Sequence, residues 1–383
     1  MSGDASITSR FIARYAATPR LFWAPGRVNL IGDHIDYCGG MVLPMPIQFG
    51  TTVAVHLNDD ERVRGSSLNF PEVIDVGRAN VHTLPVGSWG RFLCGTLAVL
   101  ADLGIDIAGV DVLVASDIPG SGLSSSASLC VGLLHALTSV AGRPLPPLQM
   151  ALAAQRVEHE HIGVQCGLMD QAVIVLAEPG SALLFDCYEY GYRSIALDDA
   201  SIQVVVVDTG RTRQLVHSAY NTRLHETRSA ADVLGVSAAA LARFDPQVFK
   251  SREHEIIDSV VRSRARHVVS EAARVTQAAA ALESHQWALL GGVLTRSHES
   301  LRSDYAVSCP ELDVLVMSLT AQTGCYGARM TGAGFGGSVV ALFDADAVEV
   351  AMAHAAVTYS GRFGITPRWF VARSLGGVRS LDG

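Results

Sequence analysis

Residues 124–140 read Ser-Ser-Ser-Ala-Ser-Leu-Cys-Val-Gly-Leu-Leu-His-Ala-Leu-Thr-Ser-Val, with His135 as the one ionisable side chain apart from the Cys130 thiol. A helix of this kind, apolar on nearly all sides, has no face to offer to water, so the chain must build a core around it. The run Gly109–Ala115 upstream is rich in β-formers, and Pro119-Gly120-Ser121-Gly122-Leu123 connects the two. The order is therefore strand, glycine-serine loop, buried helix. Such an order sets the free N–H groups of a helix start at the edge of a core, where they favour an anion. Glycines allow close backbone approach to a ligand, and serine hydroxyls add donors and an oxygen for a divalent cation. The plainer alternative is a turn in which serine caps the helix.

Lys250 is the single lysine of the chain, and nothing around it is glycine-rich. P-loop NTPases and protein kinases place a lysine on the nucleotide phosphates. A nucleotide-using chain with this composition needs a different device.

The chain has 383 residues, 49% hydrophobic and 17% charged, which makes two domains the default. The texture changes after Asp208, where Tyr220–Leu234 and Ser259–Ser303 show the Arg/Glu/Ala periodicity of long amphipathic helices. A boundary near residue 190 is expected, dividing the chain into 1–190 and 191–383. Upstream, Arg20–Ala54 reads as strand, loop, strand, with the loop at Gly26–Gly40, and Leu148–Ile162 reads as a helix ended by Gly163. Ala182–Phe185 and Ile202–Val207 read as strands, and Ala328–Leu342 as glycine-rich turn and strand. No run approaches the roughly 18–20 apolar residues of a membrane span, and the first twenty residues lack a signal-peptide core. A cytoplasmic protein is expected. Net charge is −8 with no basic cluster, which argues against nucleic acid or an anionic membrane as partner. The seven cysteines are odd in number and form no C-x-x-C, so small buried thiols are expected rather than disulfides or a zinc site.

Three further stretches carry chemistry. Ala24–Tyr37 gathers Arg27, Asp33, His34 and Asp36 among glycines and apolar residues, a set suited to vicinal hydroxyls; a self-satisfied Asp–Arg–His loop is the alternative. Gly163–Gln171 sets Asp170 at the start of an apolar helix, where it is otherwise an ordinary first-turn acid. Just before it, Glu158-His159-Glu160-His161 looks metal-binding, but alternate residues of a helix face apart, so at most one or two can enter one site. Thr331–Ser338 holds a glycine-rich turn before a strand.

Taken together these motifs resemble the GHMP kinases, and among them the galactokinases. Gly26–Tyr37 is similar to the galactokinase sugar signature, Gly120–Ser128 to the GHMP phosphate loop, and Cys166–Gln171 to the segment with the catalytic Asp. Leu215–Arg223 resembles the segment that supplies a sugar-contacting Tyr. Ser297–Leu312 is also galactokinase-like, and Gly332–Gly337 resembles the third GHMP glycine motif.

The resemblance implies an α+β GHMP kinase fold, with an N-terminal domain like ribosomal protein S5, a C-terminal ferredoxin-like domain, and the site in the cleft between them. It implies ATP-dependent phosphorylation of galactose at the C1 hydroxyl. It assigns Mg²⁺ to Ser126 and Glu158, and the nucleotide phosphates to Gly120, Ser121, Gly122, Leu123, Ser124, Ser125 and Ser126. It assigns the sugar to Asp33, His34, Ile35, Asp36 and Tyr220. Asp170 would orient or deprotonate the attacking hydroxyl, and Arg27 would ease loss of that proton and stabilise developing charge. A monomer or weak homo-oligomer is expected. Asp33 stands where most galactokinases have Glu, and Ile35 and Cys38 replace Thr and Asn. The string His34–Gly39 resembles the N-acetylgalactosamine kinase branch, whereas Tyr220 fits galactokinases proper. A related hexose, or a sugar sensor without turnover, stays open at this point.

Overall fold

The strand that begins at Arg20 runs further than its glycines imply. In the computed structural model, which describes residues 2–78, 84–197, 199–211 and 216–382, it extends through Asn29. The expected loop therefore starts at Leu30, not Gly26. The reason lies in a bulge. Register against Pro44–Leu57 shifts between Pro25 and Arg27, after which Arg27, Val28 and Asn29 pair with Pro46, Met45 and Pro44. Pro25 has no N–H for the ladder. At Gly26 a Cβ would lie 2.8 Å from the Leu123 carbonyl oxygen, and the Arg27 N–H donates to that same oxygen at 3.1 Å. Bulges re-aim side chains, and this one turns Arg27 inward beside the glycine-serine loop.

The first sheet has the order Arg379–Ser380, Arg20–Asn29, Pro44–Leu57, Val110–Ser116, Arg62–Ser67, Ile74–Gly77. Its neighbours are antiparallel except for the parallel pair of Arg62–Ser67 with Val110–Ser116. The helix Ser125–Val140 packs on one face, as its composition requires, and Ser128 Oγ donates to the Ala24 carbonyl at 2.9 Å. The helix Ser2–Tyr15 covers the other, with Ile7 and Phe11 against Leu21, Ala54 and Leu113. A small sheet of Met41–Val42, Ser181–Asp186 and Tyr192–Ala196 stands beside it. The third sheet is antiparallel in the order Cys325–Thr331, Ser338–Asp344, Ile202–Asp208, Arg368–Val371.

Two helices differ from the sequence expectation. Ser259–Ser303 is two helices, Ser259–Glu283 and Trp287–Ser303, broken where His285 adopts φ 54°. Leu148–Ile162 is α-helical as Pro147–Arg156 and then widens into a π-helical turn, Val157–Ile162. Gly163 closes that turn at φ 87°, and the N–H groups of Gly163 and Val164 both donate to the Glu158 carbonyl. π turns are frequent at functional sites; here the turn carries the buried side chain of Glu158.

The helix Trp287–Ser303 lies so close to the strand Cys325–Thr331 that a Cβ on Gly291 would sit 2.1 Å from the Tyr326 carbonyl oxygen, and one on Gly327 2.0 Å from that of Gly291. Gly291→Ala and Gly327→Ala are each expected to destabilise the protein by about 1–3 kcal/mol through overpacking, read as a lower thermal midpoint. Gly361→Ala, with nothing within 4 Å of its Cβ position, is the control.

Candidate active site

Arg27, turned inward by the bulge, meets a carboxylate from a distant helix. Its Nε donates to Asp170 Oδ1 at 2.7 Å and its Nη2 to Asp170 Oδ2 at 2.9 Å. Its Nη1 donates to the Gly122 carbonyl at 2.7 Å. Arg27 is nearly covered, while Asp170, in the first turn of Met169–Leu176, keeps 26% side-chain exposure toward a cavity of about 240 Å³. Two-point pairing of this kind fixes orientation as well as charge.

Ser124 completes the arrangement. It precedes the helix Ser125–Val140 yet makes no capping bond. Its backbone is left-handed, at φ 60°, and its Oγ donates to Asp170 Oδ2. The hydroxyl that the plainer reading assigns to the helix is spent on Asp170 instead. Left-handed backbone at a non-glycine residue is strained and persists where its surroundings hold it.

The cavity collects Arg27, Asp33, His34, Asp36, Gly122, Ser124, Ser125, Ser126, Glu158, Asp170 and Tyr220 from the expected set. It does not collect Ile35, which is fully buried with its side chain beneath Gly40. Gly120, Ser121 and Leu123 also lie outside its wall. Gly120 sits over the Asp208 carboxylate, the Ser121 carbonyl accepts from Ser338 Oγ at 3.2 Å, and Leu123 is in the core. Val164, Cys166, Gly167 and Met169 line the cavity as well. Of the Glu158–His161 run, Glu158 alone reaches it: His159 bonds to the Cys166 carbonyl and Glu160 pairs with Arg156. Leu215, in the segment expected to lead to Tyr220, lies outside the described residues.

The cavity is rich in carboxylates and short of cations. Burial raises Asp36 to about 7, helped by the nearby Asp170 charge. Burial also raises Glu158 to about 7; the Ser126 hydroxyl works against the rise and Asp170 adds to it. Gln171 Nε2 donates to Glu158 Oε2. Arg27 is the one Arg or Lys in the described wall. Such a site gains from a bound cation. Glu158 and Ser126 together offer hard oxygen donors, which suits Mg²⁺. Among the described residues no three His, Cys, Asp or Glu side chains gather into a protein-only metal site.

An aromatic cluster adjoins the cavity. His34, at φ 66°, presents Nε2 to the Ala333 carbonyl at 3.2 Å and Nδ1 to the Tyr37 hydroxyl at 2.9 Å. Because the carbonyl only accepts, Nε2 carries the proton and Nδ1 accepts from Tyr37. Burial, with His267 nearby, lowers His34 to about 3, so the imidazole is neutral. Tyr37 in turn meets the Tyr305 hydroxyl at 2.7 Å, and the Tyr220 ring lies 5.7 Å from His34 and 5.3 Å from Tyr37. Tyr37 and Tyr305 lie within stretches that resemble galactokinase motifs, but no spacing rule marks them as partners. A second cavity of about 430 Å³ shares Ser125 and Ser126 with the first and is walled by Phe70, Pro71, Trp89, Phe92, Ile118 and Leu129.

The family model of the galactokinase galactose-binding signature matches residues 9–57, which include Arg27 and the His34 loop. Those of the GHMP kinases N terminal domain and the GHMP kinases C terminal match residues 91–178 and 278–357. A galactokinase of Roseiflexus sp. (strain RS-1) is 37% identical over 390 residues, spanning 100% of this chain and 98% of its own. The chain belongs to the galactokinase family. A galactokinase of Clostridium perfringens (strain 13 / Type A) is 36% identical over 374 residues, 96% of this chain and 97% of its own. Among solved structures, Lactococcus lactis galactokinase complexed with galactose superposes with a TM-score of 0.96 at 33% identity, covering 99% of this chain and 100% of that one. Methanococcus jannaschii mevalonate kinase, at 18% identity and a TM-score of 0.65 over 94% and 99% of the chains, shares the GHMP fold. The α+β GHMP kinase architecture expected from the motifs is thus the observed one, and the chain is a kinase.

The strained serine gives a direct test. Ser124→Gly and Ser124→Ala both delete the hydroxyl that holds Asp170, but glycine also relieves the left-handed backbone. Ser124→Gly is expected to be more stable than Ser124→Ala by about 1–2 kcal/mol, measured as the difference in their denaturant or thermal midpoints.

Proposed function

We propose that this galactokinase-family protein transfers the γ-phosphoryl group of ATP to the anomeric C1 hydroxyl of galactose, giving galactose 1-phosphate and ADP. The observation that carries the reading is Asp170, held from one side by Arg27 and Ser124 and open to a cavity walled by His34, Asp36 and Tyr220. Ser124 of the serine loop bonds to this carboxylate, and His34, Asp36 and Tyr220 line the same cavity. Phosphoryl transfer asks mainly for positioning and charge neutralisation; Arg27 and the N–H groups of the serine loop supply part of the positive charge, and a bound Mg²⁺ would supply the rest without a lysine.

In this reading His34, Asp36 and Tyr220 take sugar hydroxyls. His34 offers Nε2–H when it leaves the Ala333 carbonyl, Asp36 accepts, and the Tyr220 ring packs on the apolar side of the sugar. Asp170 receives the hydrogen bond of the C1 hydroxyl and aligns it with the phosphorus. Arg27 stabilises charge as the proton shifts toward Asp170. N–H groups of the 120–126 loop cradle the phosphates, and the second, apolar cavity, continuous with Ser125 and Ser126, takes the adenine. Ser126 and Glu158 would hold Mg²⁺, which neutralises phosphate charge when bound. We place the enzyme in the cytoplasm, as a monomer or weak homo-oligomer, with its two halves dividing near residue 190. Among the described residues no helix is long and apolar enough to cross a membrane.

The deciding experiment incubates the protein with Mg·ATP and a panel of galactose, N-acetylgalactosamine, glucose, arabinose and galacturonate, and locates the phosphate by NMR. Galactose phosphorylated at O1 is expected. Phosphate at O6, or no turnover of any hexose, overturns the reading. Asp170→Asn is expected to lower kcat by about two to four orders of magnitude in a folded protein.

Asp36 sets a pH dependence. Its pKa is raised to about 7, so the carboxylate is mostly protonated at pH 6 and mostly ionised at pH 8. Only the ionised form has both oxygens free to accept sugar hydroxyls. With Mg·ATP saturating, kcat/KM for galactose should rise through about pH 7 in the wild type. That limb should flatten in Asp36→Asn, measured as paired pH profiles.

A further inference from the structure

The loop that carries His34 and Asp36 is gripped by groups from far along the chain. Thr331 Oγ1 and the backbone of Asn29 exchange hydrogen bonds of 2.9 and 3.1 Å, and Gly32 N–H donates to Glu271 Oε1 at 3.1 Å. His267 Nε2 donates to the Asp33 carbonyl at 3.2 Å. At the centre is Arg329, on the strand Cys325–Thr331 and wholly buried. Its Nη1 donates to the Leu30 carbonyl at 2.9 Å and its Nη2 to Asp33 Oδ2 at 2.5 Å. The remaining oxygen, Asp33 Oδ1, accepts from Gly332 N–H at 3.2 Å. Each carboxylate oxygen therefore takes a protein donor, and although Asp33 borders the cavity its side chain is only 3% exposed, against 26% for Asp170.

The next residue, His34, sits in the left-handed region at φ 66°. A backbone state of that kind is kept by what surrounds it. Breaking one side of a buried ion pair leaves the other charge unpaired, so the pair resists loosening once formed. A residue with aspartate's short reach at position 33 suits a carboxylate directed at the arginine.

We propose that Arg329 is a positioning residue for sugar binding: through Asp33 it fixes the loop that presents His34 and Asp36, and Asp33 serves the sugar by holding that loop, not by accepting a sugar hydroxyl. This rests on the galactose-kinase reading above. It adds a residue from the C-terminal half, nearly 300 positions from the loop it orients and outside the wall of the cavity.

The test compares wild type with Arg329→Met, Arg329→Lys and Asp33→Asn, on galactose and on each of its monodeoxy analogues, with rates normalised to folded protein. The expected result is a rise in galactose KM of about tenfold or more for Arg329→Met and Asp33→Asn, with ATP KM and kcat within about threefold of wild type. The penalty should persist on every deoxy sugar, because the whole loop is displaced. Arg329→Lys, which keeps a charge toward Asp33 but cannot also reach Leu30 as a fork, should recover part of the loss. An Asp33→Asn penalty that vanishes on one deoxy sugar would mean that Asp33 accepts that hydroxyl directly, and overturns the proposal. So does an unchanged galactose KM accompanied only by a smaller folded fraction, the signature of a purely structural pair. Should Arg329→Met fail to fold, the isosteric Asp33→Asn decides alone. A wild type inert toward all hexoses removes the kinase reading itself, and is recognised before any variant is compared.

Discussion

The two-point contact between Arg27 and Asp170 organises the site. An arginine this buried must find acceptors for its N–H groups, and it finds them on two elements remote from its own strand. The strand bulge supplies the arginine, the glycine-serine loop supplies the Gly122 carbonyl, and the helix Met169–Leu176 supplies the carboxylate. Ser124 then adds its hydroxyl from the start of the buried helix. Each partner constrains the next. The Arg27 side chain turns inward only because the strand shifts register after Pro25, and that shift fits only because Gly26 has no Cβ to meet Leu123.

A site with one arginine and several carboxylates carries an electrostatic deficit, and the fold distributes it unevenly. Asp36 and Glu158 face the cavity with few donors, and burial carries both to about 7. Glu271 is buried just as deeply, and burial works against its charge too. Arg274, His267 and Arg329 nevertheless hold it down to about 2. The difference separates roles. Glu271 is compensated by protein cations, whereas Asp36 and Glu158, which face the cavity without an arginine partner, are left for a ligand to compensate.

Much of this was legible in the sequence. The charge-free helix announced its own burial, and the glycine-serine loop, Arg27, Asp36, Glu158 and Asp170 stood in short motifs whose chemistry is local, whereas Tyr220 came only from the family resemblance. What was not legible depends on contacts between distant residues. Arg329 reads as a lone arginine in a strand until the fold brings it to Asp33. Tyr37 and Tyr305 become a relay for His34 only across 268 positions. Local rules also failed where two of them competed. Glycine and proline signalled a loop from Gly26 to Gly40, but the ladder resumed after the bulge and ran on to Asn29. Helical periodicity ran on to Ile162, but the last turn widened. Ile35 lay inside the sugar motif, yet its apolar side chain followed the hydrophobic drive into the core.

The strand Arg379–Ser380 has a bearing on the order of assembly. It pairs with Phe22 and Trp23 at the margin of the first sheet, and Asp382 Oδ2 accepts from the Leu21 N–H at 2.7 Å. Until residues 379–382 have left the ribosome, the strand Arg20–Asn29 presents unpaired N–H and C=O groups along that margin, the kind of edge on which other chains add. The nascent protein therefore carries an open template until residues 379–382 emerge, and those residues close it. A stalled or clipped chain lacking them would retain nearly all of the cavity wall yet expose a sticky border, so its failure would be one of self-association before it was one of catalysis.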